Sequence, residues 1–314
     1  MDFRELAYTV SIAKHQGIGK AAKEMHVSQS TLSKFVQNLE NNLGQPIFRK
    51  LGNKFLLTYA GERYVETAKT ILTIKQDLDK EMADIVKEDI GELKLAFQLY
   101  GNFSILAQAL LRFRKQYPRV KINVLEGHSS VLEQMIKNGD VDLAFITIQF
   151  RHPDISYEVI NNEEVLLIMA PDHPRAKEGG ARQDCKYPWM DVSKLEQELF
   201  ILQWPEQHIR QISNRIFQDA KIKPTNIITM KNIYASIQLA IDSYGLAFMR
   251  ETPLRFTNTL LSPACFSVGN PYTTVEFAAV YRAGMHLTAY HKHFIRIVKE
   301  LVTIETDLPQ KRSN

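Results

Sequence analysis

Cysteine is nearly missing: Cys185 and Cys265 are the only two in 314 residues, and they lie far apart. Such scarcity suits a reducing compartment, and two lone thiols supply none of the paired C-x-x-C spacing that structural zinc sites use. A redox pair would need an electropositive, partly exposed setting; two buried small apolar residues are the plainer reading. Long apolar runs are lacking too. No stretch approaches the roughly 18 consecutive apolar residues of a membrane span, and Asp2 and Glu5 stand where a signal peptide needs basic and then apolar residues. A cytoplasmic protein with no membrane partner is therefore expected. The chain also has no G-x-S-x-G elbow, phosphate-binding P-loop, dinucleotide fingerprint or H-E-x-x-H pair, so neither an enzyme nor a cofactor is expected.

What is present points elsewhere. An apolar content of 45% over this length buries a sizeable core and favours more than one domain. Residues 1–58 carry eight Lys/Arg against four acids, an excess of four that equals the +4 of the whole chain. Positive charge concentrated on the first fifth of a chain suits a segment that faces a polyanion.

That segment reads as three helices and a hairpin. Asp2 and Glu5 form a capping box, and Phe3, Leu6, Val10 and Ala13 recur at helical spacing up to about His15, before Gly17. A short helix over 20–25 presents Ala21 and Ala22 for close approach, and His26-Val27 makes the turn. Ser28 caps a third helix to Leu43, with Leu32, Val36 and Leu39 inward and Gly44 closing it. Its outer face carries Gln29, Ser30, Thr31, Ser33, Lys34 and Gln37. These side chains donate and accept as base edges and phosphates require, and a helix after a short helix and tight turn enters the major groove. A merely solvated polar face is the alternative. Segments 46–50 and 54–57 flank Gly52-Asn53 as a hairpin wing, where Arg49, Lys50, Asn53 and Lys54 suit phosphate or minor-groove contacts.

Ala21-Ala22, Val27-Ser28-Gln29-Ser30-Thr31-Leu32-Ser33, Leu39-Glu40, Leu43-Gly44, Pro46-Ile47-Phe48 and Leu57-Thr58-Tyr59-Ala60-Gly61 resemble, ungapped over about sixty residues, the signature of LysR-type transcriptional regulators. Ser30 stands where many members have proline, and Lys50 where arginine commonly follows the wing phenylalanine. The resemblance implies double-stranded DNA as partner, read at an interrupted palindromic operator, with RNA polymerase a further partner if the protein activates.

Beyond Thr58, Tyr64, Ala68, Ile71, Leu78, Met82 and Ile85 form a coiled-coil stripe, with Lys75 its one polar position. A helix packed on its own domain is the alternative to a partner helix. Two half-sites favour the homodimer, and the resemblance implies a dimer of dimers. The expected boundaries are 1–58 for a winged helix-turn-helix, 59–89 for a dimerising linker helix, 90–304 for an effector domain with its second lobe at about 162–268, and 305–314 for a polar tail.

From Gly91 the pattern changes to β and α units. Strands are expected at 93–97, 120–124 and 141–148, and helices at 103–117 and 129–138. A second set has strands at 199–202, 226–230 and 246–249 and helices at 206–220 and 233–244, and a last strand and helix at 274–302 return to the first lobe. These are doubly wound α/β lobes, and together they resemble the two-lobed periplasmic-binding-protein-like effector domain of the LysR type. Residues 176–193 are expected to form a surface loop.

Ligands in such sheets lie beyond the carboxyl ends of strands, where helix N-termini favour anions. The resemblance places effector contacts at these corners, here Tyr100, Asn102, His128, Ser129, Thr147, Trp204, Gln207, Asn232 and Arg250, the last standing where proline is frequent. With His128, His208 and Lys231, Arg250 suggests an anionic, carboxylate-bearing small molecule; Tyr100, Phe103 and Trp204 suit stacking, although Phe103 and Trp204 also read as core. His286, His291 and His293 do not share one helical face, which favours solvated or capping roles over a metal site.

Overall fold

Capping decides where the first helices of the computed structural model begin. The structure describes residues 2–52, 54–85, 90–98, 103–251 and 262–306. Asp2 accepts from the Glu5 N–H while Glu5 returns a bond to the Asp2 N–H, which starts α1 (Phe3–His15). Gln16 ends it in the left-handed conformation, φ 49°. Gly17, expected to stop the first helix, instead follows that cap and serves as N-cap of α2 (Ile18–Glu24). The buried face of α1 is Leu6, Tyr8, Thr9 and Ile12; Phe3, read as an inward residue, is exposed because the face is rotated from that spacing. The Ser28 hydroxyl accepts from Thr31 N–H at the start of α3 (Gln29–Leu43), and Gly44 closes it at φ 65°. Ala21 and Ala22 are buried where α2 meets α3, with Leu32, Val36, Ile47 and Phe48 completing this core.

The hairpin is β1 (Phe48–Leu51) paired antiparallel with β2 (Lys54–Leu57). One carboxylate fastens it to α3: Glu40 Oε1 accepts the N–H groups of Ile47 and Phe48 at 2.8 and 2.9 Å. Next comes α4 (Tyr59–Ile85), whose first turn is capped by Thr58 Oγ1, 3.0 Å from the Gly61 N–H. Val65 and Ala68 are buried, whereas Ile74, Leu78 and Met82 are exposed.

The chain divides into two compact units: residues 1–88, grouped with the short stretch 137–140, and residues 89–136 with 141–314. In the second unit β3 (Gly91–Gln98), α5 (Phe103–Gln116), β4 (Val120–Gly127), α6 (Ser129–Asn138) and β5 (Leu143–Thr147) form a parallel βαβαβ set. β6 (Ile155–Met169) is a 15-residue strand that the sequence patterning did not reveal. Then follow β7 (Phe200–Gln203), α7 (His208–Asp219), β8 (Ile227–Met230), α8 (Ile233–Ile241) and β9 (Leu246–Arg250), a second parallel set. β10 (Ala264–Ser267), β11 (Thr274–Arg282) and α9 (Ala289–Thr306) complete the unit; residues 307–314 of the expected tail lie outside the described residues.

The strand order is β4-β3-β5-β11-β6-β9-β7-β8, with β10 on β6. β6 is the crossing strand: it pairs antiparallel with β11 up to Glu164 and with β9 from Val165, so one strand serves both lobes. Each lobe keeps its own core, Phe97, Phe113, Phe145 and Phe294 in the first and Phe200, Phe217 and Phe248 in the second. Segment 176–193 is no free surface loop. Trp189 bridges to Gly180 and Ser267, its Nε1–H donates to Gly269 O at 2.8 Å, and Tyr187 and Met190 are buried.

Candidate nucleic-acid interface and interlobe cleft

Helix α3 turns two polar strips outward. Gln29, Ser30, Ser33 and Gln37 are exposed along one, Thr31 and Lys34 along the next, and Arg49, Lys50 and Lys54 are exposed on the wing. Asn53 lies outside the described residues. Ser28 has a structural duty beyond its exposure: its hydroxyl lies 2.8 Å from both Ser30 Oγ and Thr31 Oγ1 and holds the helix start together. Thr31 and Lys34 border a groove with Glu5 of α1 and Tyr64 of α4, so the strip that stands clear is Gln29, Ser30, Ser33 and Gln37. With Arg49, Lys50 and Lys54 exposed on the wing, the first unit offers both base-edge donors and acceptors and positive charge.

In the second unit the carboxyl ends of β3, β5, β7 and β9 and the N-termini of α6 and α7 converge on a cleft between the lobes. The first lobe lines it with Gln98, His128, Ser129, Ser130, Thr147 and Gln149. From the second come Glu206, Gln207, His208, Ile209, Ile212, Ile233 and Arg250, around a cavity volume of about 70 Å³. Six residues expected at the site, His128, Ser129, Thr147, Gln207, His208 and Arg250, are thus brought together.

Several of them are already engaged. Gln98 Oε1 accepts from both the N–H and the Oγ1 of Thr147, each at 2.9 Å, which orients the Gln98 amide group as a donor. Gln207 accepts from Trp204 N–H and donates to Lys231 O, both at 3.1 Å, and so ties two loops of the second lobe. Arg250 Nη1 donates to Glu163 Oε2 at 3.0 Å; the two side chains are 9% and 0% exposed, an ion pair closed off from solvent. Burial first, then the Arg250 and Arg215 charges, pull the His208 imidazole down to a pKa of about 4, so it is neutral near pH 7. Ser129 is buried, and its Oγ has no hydrogen-bond partner.

Other expected residues fall elsewhere. Trp204 is 44% exposed with Lys231 Nζ 5.4 Å from its ring, and neither lines the cleft. Asn232 is the N-cap of α8, its Oδ1 accepting from Tyr234 and Ala235 N–H, and it does not line the cleft. Phe103 opens α5; Tyr100 and Asn102 lie outside the described residues. Gln98, Ser130, Glu206 and Ile233 belong to the strand-end corners expected at the cleft, 98–103, 127–130, 203–208 and 231–233, without being named as contacts, whereas Gln149, Ile209 and Ile212 lie outside those corners. His291 is buried, with Nδ1 2.7 Å from Thr288 Oγ1 and Nε2 3.7 Å from Asp142 Oδ2, a packed position within the first lobe. Among the described residues no group of three His, Cys, Asp or Glu is placed to hold a metal ion. Burial pushes the Cys265 thiol up to about 12, and burial with Asp184 raises that of Cys185, so both thiols stay protonated.

Comparison with known proteins gives the family of both units. Residues 3–62 match the bacterial regulatory helix-turn-helix family of the lysR type, and residues 87–303 match the LysR substrate binding domain. The chain is 24% identical over 322 residues to the HTH-type transcriptional regulator ClcR of Pseudomonas putida, covering 97% of this chain and 98% of that protein. It is 32% identical over 144 residues to the HTH-type transcriptional activator IlvY of Haemophilus influenzae, covering 46% and 49%. A full-length OxyR variant from Pseudomonas aeruginosa superposes with a TM-score of 0.73 at 20% identity, covering 97% of this chain and 95% of that one. Full-length CbnR in complex with its target DNA superposes with a TM-score of 0.59 at 20% identity, covering 96% and 99%. No helix among the described residues is long and apolar enough to cross a membrane. The chain belongs to the LysR-type transcriptional regulators: it is a DNA-binding transcription regulator with an effector-binding domain, not an enzyme.

Proposed function

We propose that the protein reads an interrupted palindromic operator as a homodimer or dimer of dimers, and that a small carboxylate-bearing effector in the interlobe cleft alters that interaction. The observation that carries this reading is the exposed strip Gln29, Ser30, Ser33 and Gln37 on α3, together with the exposed Arg49, Lys50 and Lys54 of the wing. Bases are read by the strip; the wing cations hold phosphates and make affinity fall with salt. The exposed Ile74, Leu78 and Met82 of α4 meet a second copy, which sets two recognition helices about one helical turn of DNA apart. In the cleft, Ser129 at the start of α6 and the fixed Gln98 amide receive a carboxylate. If the protein activates, RNA polymerase is its further partner.

Fluorescence anisotropy with duplexes from the chain's own upstream region tests this. Full-length protein is expected to bind one such duplex at least about a thousandfold more tightly than a shuffled duplex, the lower end of ordinary operator selectivity. It is also expected to change that affinity when a carboxylate that binds it is added. Equal affinity for operator and shuffled duplex would refute the reading.

A further inference from the structure

Granted the effector role of the cleft, its charge balance defines what kind of anion enters. Arg250 is the one Lys or Arg lining it among the described residues, and its charge is cancelled by Glu163, which is 0% exposed and lies behind it. Glu163 Oε1 has no hydrogen-bond partner, so Arg250 is the group that solvates this buried carboxylate; drawing the guanidinium away would leave a costly unpaired charge. On the same lobe His208 is neutral, and Glu206 adds a negative charge. A second carboxylate on a ligand would therefore find no unspent Lys or Arg in the lining.

One anionic head, by contrast, is provided for. Ser129 Oγ is buried and unpartnered at the first residue of the ten-residue α6, where backbone N–H groups are free of intrahelical acceptors. The second lobe faces this end with Ile209, Ile212 and Ile233, an apolar wall. The cavity of about 70 Å³ is small, so a short alkyl chain of few heavy atoms suits it better than a bulkier body.

We propose that the effector is a compact aliphatic monocarboxylate, its head on Ser129 and the α6 N-terminus and its alkyl body on Ile209, Ile212 and Ile233, and that Glu163 excludes dianions by neutralising Arg250. Titration calorimetry of the full-length protein at pH 8 tests this with isovalerate, its neutral isostere isovaleramide, benzoate and succinate. Isovalerate binds at least about tenfold more tightly than each of the others, and Ser129→Ala costs it about tenfold, as loss of a hydrogen bond to a charged group should. Glu163→Gln frees Arg250 and raises succinate affinity about tenfold or more, and by more than it raises that of isovalerate. Should that variant fail to fold, monomethyl succinate against succinate on the unaltered protein isolates the second charge, and the half-ester must bind about tenfold more tightly.

Isovalerate that does not bind, or benzoate, succinate or the amide binding as tightly, overturns the assignment. So does a folded Glu163→Gln protein with unchanged succinate affinity, or a half-ester no better than succinate. These outcomes leave the regulator reading standing, since that rests on operator affinity measured without any of these probes.

Discussion

Glu24 joins the first two helices through its carboxylate. Lys14 Nζ donates to it at 2.5 Å, Ser11 Oγ donates to its other oxygen, and His15 Nε2 lies 3.1 Å away. The Lys14 bond first, then that from Ser11, hold its carboxyl down to about 2, below its ordinary 4.5. Because the folded value is the lower, this stabilisation is complete above about pH 4.5 and is lost as pH falls through about 2. Melting curves of the unaltered protein and Glu24→Gln should therefore differ at pH 7 and converge toward pH 2. His208 acts in the opposite chemical sense with the same slope. The unfolded imidazole takes its proton near 6.5 and the folded one only near 4, so stability falls as pH drops between those values. His208→Gln should flatten that part of the curve; two coinciding profiles would contradict the burial of the imidazole. At the DNA surface, Ser33→Ala should cost about 1–3 kcal/mol on the operator and little on random DNA. Lys54→Ala should weaken both duplexes alike and reduce the salt slope by about one. Ser28 was legible as a cap because its partner is three residues away; Arg250 with Glu163 was not, because 87 residues separate them and only the register of β6 against β9 brings them together.

Helix α4 shows how one element answers two demands. Its sequence stripe leaves open a partner helix or packing on its own domain, and on the proposed reading its two halves divide those roles. Val65 and Ala68 are buried near its start, where α4 lies on α1, whereas Ile74, Leu78 and Met82 are exposed further along. Leu78→Asp should thus shift the protein from dimer to monomer in sedimentation velocity while leaving its melting temperature nearly unchanged; a variant still dimeric would place the interface elsewhere. Gly61 marks the other end. A Cβ there would stand 2.0 Å from the Ile47 carbonyl oxygen, so Gly61→Ala should destabilise the first unit by about 1–3 kcal/mol in denaturant unfolding. β6 was not recognised from the sequence because its alternating first half, facing β11, and its continuous apolar second half, buried in the other lobe, match no single period.

At the scale of the whole molecule, a regulator must make operator and effector affinities depend on each other. Linkage makes that coupling reciprocal, and typical values are about 1–3 kcal/mol. The winged module was legible almost residue by residue, since its caps, turn and wing are local. The cleft was legible as a set of strand ends but not as chemistry, since commitments such as Gln98 to Thr147 and Gln207 to Lys231 join residues distant in sequence. The most direct measurement compares the unaltered protein with the triple variant Gln29→Ala/Ser33→Ala/Gln37→Ala on operator and shuffled duplexes. The account predicts that the variant binds both duplexes equally while keeping its salt dependence. A variant that still prefers the operator as strongly as the unaltered protein would contradict it.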